Sequence, residues 1–146
     1  MTEKTESFTA EERAAMKERA KELREEGKRS KSANKAEAEA AEVLEKIAEM
    51  PDADRAIAEK VHQIVAEEAP SLSPKTWYGM PGWAKDGKIV LFFQGSEKFK
   101  TRYATLGFND IATIDEGSMW PTAYALTKLT AADEKTLRAL IKKSAA

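Results

Sequence analysis

The spacing of apolar residues changes at Pro70, and this change limits the chain to folds that combine helices with a sheet. Before Pro70, apolar residues recur at the three- and four-residue spacing of amphipathic helices, as at Val43, Leu44 and Ile47. After Pro70, residues 89–93 form an apolar run typical of a buried strand, and Asp86-Gly87 has the spacing of a two-residue hairpin turn. Helices followed by strands and a last helix predict the α+β class.

The predicted elements follow from caps, prolines and turns. We expect helices over about 10–26, 40–50 and 52–69 and a final helix capped by Thr130, with Gly27 ending the first and residues 28–35 forming a linker. Strands are expected over about 88–94, 98–108, 111–114 and 123–128. Together they predict a mainly antiparallel sheet of about five strands within residues 75–128.

Composition indicates one domain with an appendage. The chain has 146 residues, which fits one domain with an appendage. Because the helix over 10–26 has only a narrow apolar stripe and a linker follows it, we expect a charged N-terminal extension over 1–35, helical or mobile, and an α+β domain over 36–146. Residues 1–69 carry 13 basic and 18 acidic side chains, whereas residues 70–146 carry 11 and 7, so the first part is acidic and the second basic. At this length folding needs no cofactor, and the absence of cysteine excludes thiol catalysis and disulfides.

The sequence has no feature of an exported or membrane protein. Its first residues lack the apolar segment of a signal peptide, and no stretch approaches the ~20 apolar residues of a spanning helix. We therefore expect a cytoplasmic protein with no membrane partner.

Residues 69–129 resemble a known family. The stretches SPKTWYGMPGW, DGKIVLFFQ, KFKTRYATLGF and MWPTAYALT resemble the YdhG-like family of small bacterial domains of unknown function. That family is similar in fold to bacterial frataxins, which implies helices packed on one face of an antiparallel sheet, and it includes a frataxin-like iron chaperone among its relatives. The resemblance implies a frataxin-like fold, weak iron binding and delivery of iron to an accepting protein. It implies no catalytic residues.

Acidic side chains could supply the hard oxygen ligands that iron prefers. A carboxylate ridge is expected on the helix near 40–50, and a histidine one turn after a glutamate could add a coordination edge; the candidate metal ligands are Glu42, Glu45, Glu49, Asp52, Glu59 and His62, with Asp54 beside them. The alternative interpretation is a solvated helix surface, since charged faces are normal on surface helices.

The alternative function is recognition of an anionic metabolite in a cleft, by a small-ligand-binding domain or by an enzyme. If residues 98–108 form one strand, then alternation places Lys98, Lys100 and Arg102 on one face that continues into apolar residues. The aromatic side chains Trp77, Tyr78, Trp83 and Trp120 would complete this cleft. A charged sheet edge and an aromatic core are the structural alternatives.

Catalysis and nucleic-acid binding receive less support. No nucleophile-elbow or phosphate-loop motif occurs, which favours a binding protein over an enzyme. The basic residues around Phe99 and Tyr103 have the composition of a single-strand binding surface. The net charge of −1 argues against it, because such binding needs a broad positive field.

Overall fold

The computed structural model describes residues 9–146, apart from the side chains of residues 25, 26, 28–30 and 32. The first eight residues of the predicted extension lie outside the described residues. The chain divides into two compact units, with the boundary in the sequence after Lys35 and the second unit spanning Ala36–Ala146. The elements in chain order are α1 (Ala10–Ala48), α2 (Asp52–Glu68), β1 (Ser73–Pro74), β2 (Gly82–Lys85), β3 (Lys88–Gln94), β4 (Ala104–Phe108), β5 (Ala123–Leu126) and α3 (Ala131–Ser144).

Helix α1 is continuous over 39 residues, so the expected stop at Gly27 and the expected linker over 28–35 are wrong. The hydroxyl of Thr9 accepts a hydrogen bond from the Glu12 amide at 3.1 Å, which caps the helix where the sequence predicts it. Gly27 is not one of the glycines with a positive φ. An interior glycine costs a helix only about 1 kcal/mol, and no proline interrupts the chain before Pro51.

The sheet is a five-stranded antiparallel meander in the order β1-β2-β3-β4-β5, which confirms the predicted α+β class. Asp86 and Gly87 have φ values of 51° and 79°, as a type I′ turn requires, so the predicted hairpin joins β2 and β3. Strands β1 and β5 form the two edges.

A β-bulge at Val90 explains the unbroken apolar run of β3. Leu91 lies opposite Trp83 and Ile89 lies opposite Ala84, which leaves Val90 as the extra residue between them. Val90 and Leu91 are therefore both buried in the core. Without the bulge, simple alternation would put these two neighbours on opposite faces.

The two faces of the sheet have different surroundings. Trp83, Leu91, Phe93 and Leu106 are fully buried in one cluster with apolar residues of the helices, including Val61. The opposite face, called the outer face below, carries residues paired across four strands: Gly82, Phe92, Gly107 and Ala123. The helices thus cover one face, as expected.

Two predicted strands differ from the structure. Residues 98–103 form turns, and β4 begins only at Ala104, so the expected strand over 98–108 is wrong in its first half. Lys100 has a φ of 53°, which takes it out of the extended conformation.

The predicted strand over 111–114 is also wrong. Residues 111–114 form a turn and loop rather than a strand, although Ala112 and Ile114 are buried.

Helix α3 packs against α2 through apolar and charged contacts. Thr130 and Asp133 form the predicted capping box at its start. Leu137 and Ile141 are buried in the core, and Arg138 forms ion pairs with Glu67 of α2 at 2.6 Å and with Glu134 at 3.0 Å. In the described part of the chain, no helix has the length and apolar character needed to cross a membrane.

Candidate functional site

A cleft of about 410 Å³ lies where the corner between α1 and α2 faces two loops of the sheet. Its size falls within the range of small-molecule sites. We call it the corner cleft; its lining residues come from the α1–α2 corner, from the segment before β2 and from the end of β3 with the loop that follows, and they are Lys46, Glu49, Met50, Pro51, Asp54, Gly79, Met80, Pro81, Phe93, Gly95, Glu97, Lys98 and Phe99.

Asp54 ties one wall of the corner cleft to the loop after β3. One carboxylate oxygen accepts a hydrogen bond from the Ser96 hydroxyl at 2.7 Å, and the other accepts one from the Glu97 amide at 3.1 Å. Asp54 is only 4% exposed. Burial raises its pKa, but the hydrogen bonds from Ser96 and Glu97 outweigh burial, and the pKa lies below its ordinary value. The negative charge of Asp54 is therefore stabilised by hydrogen bonds within the fold.

Lys98 brings a positive charge to the lining of the corner cleft. Its ammonium lies 5.6 Å from the centre of the Phe99 ring and 3.5 Å from the Gly79 carbonyl oxygen. None of the ion pairs found among residues 9–146 involves Lys98. Its charge is thus available to an anion in the cleft.

A strained turn brings Gly79 and Met80 to the cleft. Trp77 and Met80 exchange backbone hydrogen bonds of 2.8 and 3.0 Å, and Tyr78 and Gly79 between them have φ values of 50° and 76°. Positive φ is uncommon for a large side chain such as tyrosine. The turn leaves Tyr78 82% exposed, whereas Met80 is buried.

Comparisons of the chain with protein-family models, with curated proteins and with solved structures find no match. The resemblance to the YdhG-like family and to frataxins stays a prediction.

The residues predicted for the anion cleft do not lie together. Lys98 lines the corner cleft beside the turn that follows Trp77, but Lys100 and Arg102 do not line it, because residues 98–103 are not a strand.

The aromatic residues predicted for the same cleft are also dispersed. Trp83 is fully buried and Trp120 is half-buried against the core. Trp77 and Tyr78 contact each other, and Trp77 also contacts Phe92 of the outer face.

The candidate metal ligands are spread over α1 and α2. Glu42 accepts a hydrogen bond from the Thr76 hydroxyl at 3.2 Å, and Glu45 is exposed. Glu49 pairs with Lys46 at 3.9 Å. Among residues 9–146 no group of three or more His, Asp or Glu side chains is placed to hold a metal ion.

The remaining candidate ligands have partners within α2 or in the sheet. Arg55 pairs with Asp52 at 2.8 Å and with Glu59 at 3.8 Å. His62 accepts a hydrogen bond at Nδ1 from Trp83 Nε1 at 3.2 Å. Burial lowers the pKa of His62, which favours the neutral imidazole that this hydrogen bond needs.

Sequence reasoning missed most of the corner cleft. Asp54 was expected on an exposed carboxylate ridge, yet its partners Ser96 and Glu97 are more than 40 residues away in sequence. The positions of Met80 and Phe99 in the lining follow from turns whose relative placement is tertiary. Two local signals point to this lining: Lys98, which the sequence predicts for a cleft, and Pro81, which is typical of a rigid turn.

Proposed function

We propose that residues 36–146 form a cytoplasmic small-molecule-binding domain that takes a monoanion with an apolar body into the corner cleft. We assign the cleft a binding role, because the Asp54 carboxylate is hydrogen-bonded within the fold and Lys46 pairs with Glu49.

The position of Lys98 carries this proposal. Lys98 lines a cleft whose apolar surface includes Met50, Met80, Phe93 and Phe99, and its ammonium lies near the Phe99 ring. A small-molecule site typically combines such an apolar lining with a few placed polar groups. A carboxylate on an apolar body matches this combination.

The other charged residues of the lining limit the ligand's charge. Asp54 is hydrogen-bonded within the fold, and Lys46 pairs with Glu49 at 3.9 Å. Glu97 adds a negative charge next to Lys98. Because like charges repel a second negative group, a monoanion is favoured over a phosphate ester.

Iron binding and delivery, which the family resemblance implies, stays a prediction. The contacts of Glu42, Asp52 and His62 described above add no support to it.

Titration of the ¹⁵N-labelled protein with hexanoate, phenylacetate and indole-3-acetate tests the proposal by NMR. We expect at least one of these monoanions to cause saturable shifts of the amides of Gly79, Met80 and Gly95. Lys98→Met keeps the length and apolar character of the side chain but removes its charge, and we expect it to weaken binding about tenfold or more, since hydrogen bonds to charged groups contribute ~1.5–3 kcal/mol.

The matched control is Lys100→Met, which removes a positive charge from the same loop but outside the cleft lining. We expect this variant to change the affinity for the monoanion by no more than about twofold, because exposed charges contribute little. Equal losses in the two variants would indicate a general charge effect and contradict the proposal. Absence of any saturable shift for all three monoanions would contradict it too.

A further inference from the structure

A second concave surface lies on the outer face, away from the corner cleft. It is a shallow groove of about 440 Å³ between the β2–β3 hairpin, the segment before β2 and the turn after β4. We call it the outer groove; the residues that matter below are Lys75, Trp77, Lys88, Ile89, Asn109 and Asp110. None of them lines the corner cleft.

The groove contains a fixed aromatic ring. Trp77 lies 4.7 Å from the Phe92 ring and 4.9 Å from the Tyr78 ring, between ring centres. Gly82 lets this segment approach the sheet, because a Cβ there would lie 2.7 Å from the Lys75 carbonyl oxygen and 3.1 Å from Ile89. Trp77 is thus held in place and half-buried, so it offers a rigid aromatic surface at little entropic cost.

Two positive charges at the groove lack acidic partners. None of the ion pairs found within residues 9–146 involves Lys75 or Lys88. Lys88 also lies directly opposite Lys85 across the hairpin, and like charges in that arrangement destabilise a sheet. An anion bound here would relieve this repulsion. Asp110 is the acidic residue of the lining, so with Lys75 and Lys88 the net charge of the lining is positive.

The groove also has a hydrogen-bonding edge. The Asn109 side-chain amide nitrogen donates to the Ile89 carbonyl oxygen at 3.2 Å. Its side-chain oxygen remains an acceptor. Such an acceptor can pair with an exocyclic amine of a planar base.

We propose that the outer groove binds a nucleotide, with the base against Trp77 and the phosphate between Lys75 and Lys88. Aromatic side chains bind bases by stacking, and lysines bind phosphate oxygens as point charges. A nucleotide needs only local positive charge, so the chain's net charge of −1 does not oppose it as it opposes binding of a long polyanion. The inference is independent of the ligand proposed for the corner cleft.

Calorimetric titration with AMP, UMP and ribose 5-phosphate, each at low salt, tests the inference. We expect saturable binding of at least one nucleotide and at least tenfold weaker binding of ribose 5-phosphate, because stacking of the base is lost. The double variant Lys75→Met/Lys88→Met should weaken nucleotide binding about tenfold or more. The matched control Lys135→Met/Lys142→Met removes two exposed charges from α3 and should leave it unchanged.

Comparing a single-stranded thymidine octanucleotide with TMP distinguishes a nucleic-acid strand from a free nucleotide as the ligand. Tighter binding than TMP with a steep salt dependence would identify a strand as the source, and affinity equal to TMP would identify the free nucleotide; both support a nucleotide site. Trp77→Leu, checked for folding by circular dichroism, should abolish the preference for nucleotide over ribose 5-phosphate.

Three results would overturn the inference. The first is no saturable binding of any nucleotide, and the second is an affinity for ribose 5-phosphate equal to that for the tightest-binding nucleotide. The third is a dimer of the free protein in sedimentation equilibrium that Ala123→Arg on the exposed outer face dissociates, since that face would then be an interface between copies. Corner-cleft variants such as Lys98→Met should not affect nucleotide binding, which separates this test from the preceding one.

Discussion

Trp83 donates a hydrogen bond from Nε1 to Nδ1 of His62 across 3.2 Å, so the fully buried tryptophan of β2 requires the neutral form of the chain's one histidine. The surroundings of His62 are apolar: Val65, Pro70 and Leu72 line the same depression. No acidic side chain lines it to stabilise the imidazolium. This contact makes a prediction about stability and pH.

We expect the free energy of unfolding to fall as the pH is lowered through the ordinary histidine range. Burial lowers the pKa of His62 in the folded state, so below about pH 6.5 the unfolded chain binds a proton that the folded chain does not. The loss ends when the pH passes below the lowered pKa. Urea unfolding at a series of pH values between about 5 and 8 measures it.

His62→Gln is the control for this pH dependence, because an amide oxygen can still accept from Trp83 but does not titrate. In this variant the slope between about pH 5 and 6.5 should be lost. A slope equal to that of the parent protein would show that other groups cause it.

Asp54→Ala should destabilise the domain by about 2–3 kcal/mol, because it removes an acceptor of two hydrogen bonds that connect α2 to the loop after β3. The lowered pKa of Asp54 means that its contribution exists above its ordinary pKa and disappears as the pH falls through the lowered value. Urea unfolding near pH 7 is the measurement.

Asp52→Ala is the matched control in the same first turn of α2. Asp52 pairs with Arg55, but its side chain is 95% exposed, so the loss should stay below about 0.5 kcal/mol. Similar losses for Asp52→Ala and Asp54→Ala would mean that the buried hydrogen bonds contribute nothing beyond a helix N-terminal charge.

Tyr78→Gly should be more stable than Tyr78→Ala by about 1 kcal/mol, because both remove the ring but only glycine adopts the φ of 50° without strain. Thermal unfolding of the two variants measures the difference. The same pair at Lys135, an exposed residue of α3, should show the opposite order, with alanine more stable by about 1 kcal/mol. An alanine advantage at both positions would disprove strain at Tyr78.

Gly107→Ala should destabilise the domain by about 1–3 kcal/mol, since the new Cβ would meet the Phe92 ring, which lies over Gly107 on the outer face. Chemical unfolding of Gly107→Ala, Phe92→Leu and the double variant measures their coupling. The double variant should lose less than the sum of the single losses, because leucine leaves room for the methyl group. Strict additivity would contradict the contact.

Gly27→Ala is the control for Gly107→Ala. A Cβ at Gly27 meets nothing within 4 Å, and the residue lies inside α1. Alanine should therefore increase helix content in far-ultraviolet circular dichroism rather than reduce stability.

Local patterns predicted the elements whose signals need no distant partner. The type I′ turn at Asp86-Gly87 and the capping box at Thr130 and Asp133 depend on residues within one turn, and both are found where the sequence predicts them. The predicted end of the helix at Gly27 is wrong because the path of the chain there is not fixed by a glycine alone. Glycine ends a helix only if the chain leaves it there, and the local residues allow the helix to continue.

Alternation misled the interpretation of residues 98–103. Cations at every second residue fit a strand, but they equally fit an exposed loop, and the φ of 53° at Lys100 follows from the turn that returns the chain to β4. The strand geometry predicted for Lys98 is wrong, yet Lys98 lines a cleft, because the turn brings it next to Gly79.

The order of helices and strands, the hairpin and the caps were determined by the sequence itself, because propensity, periodicity and turn chemistry act over a few residues. The tertiary structure alone decided that Asp54 is buried against Ser96, that Val90 and Leu91 share the core through a bulge, and that Trp77 lies over Gly82. Each of these contacts joins segments brought together by packing, and its energy depends on the burial and geometry that packing produces.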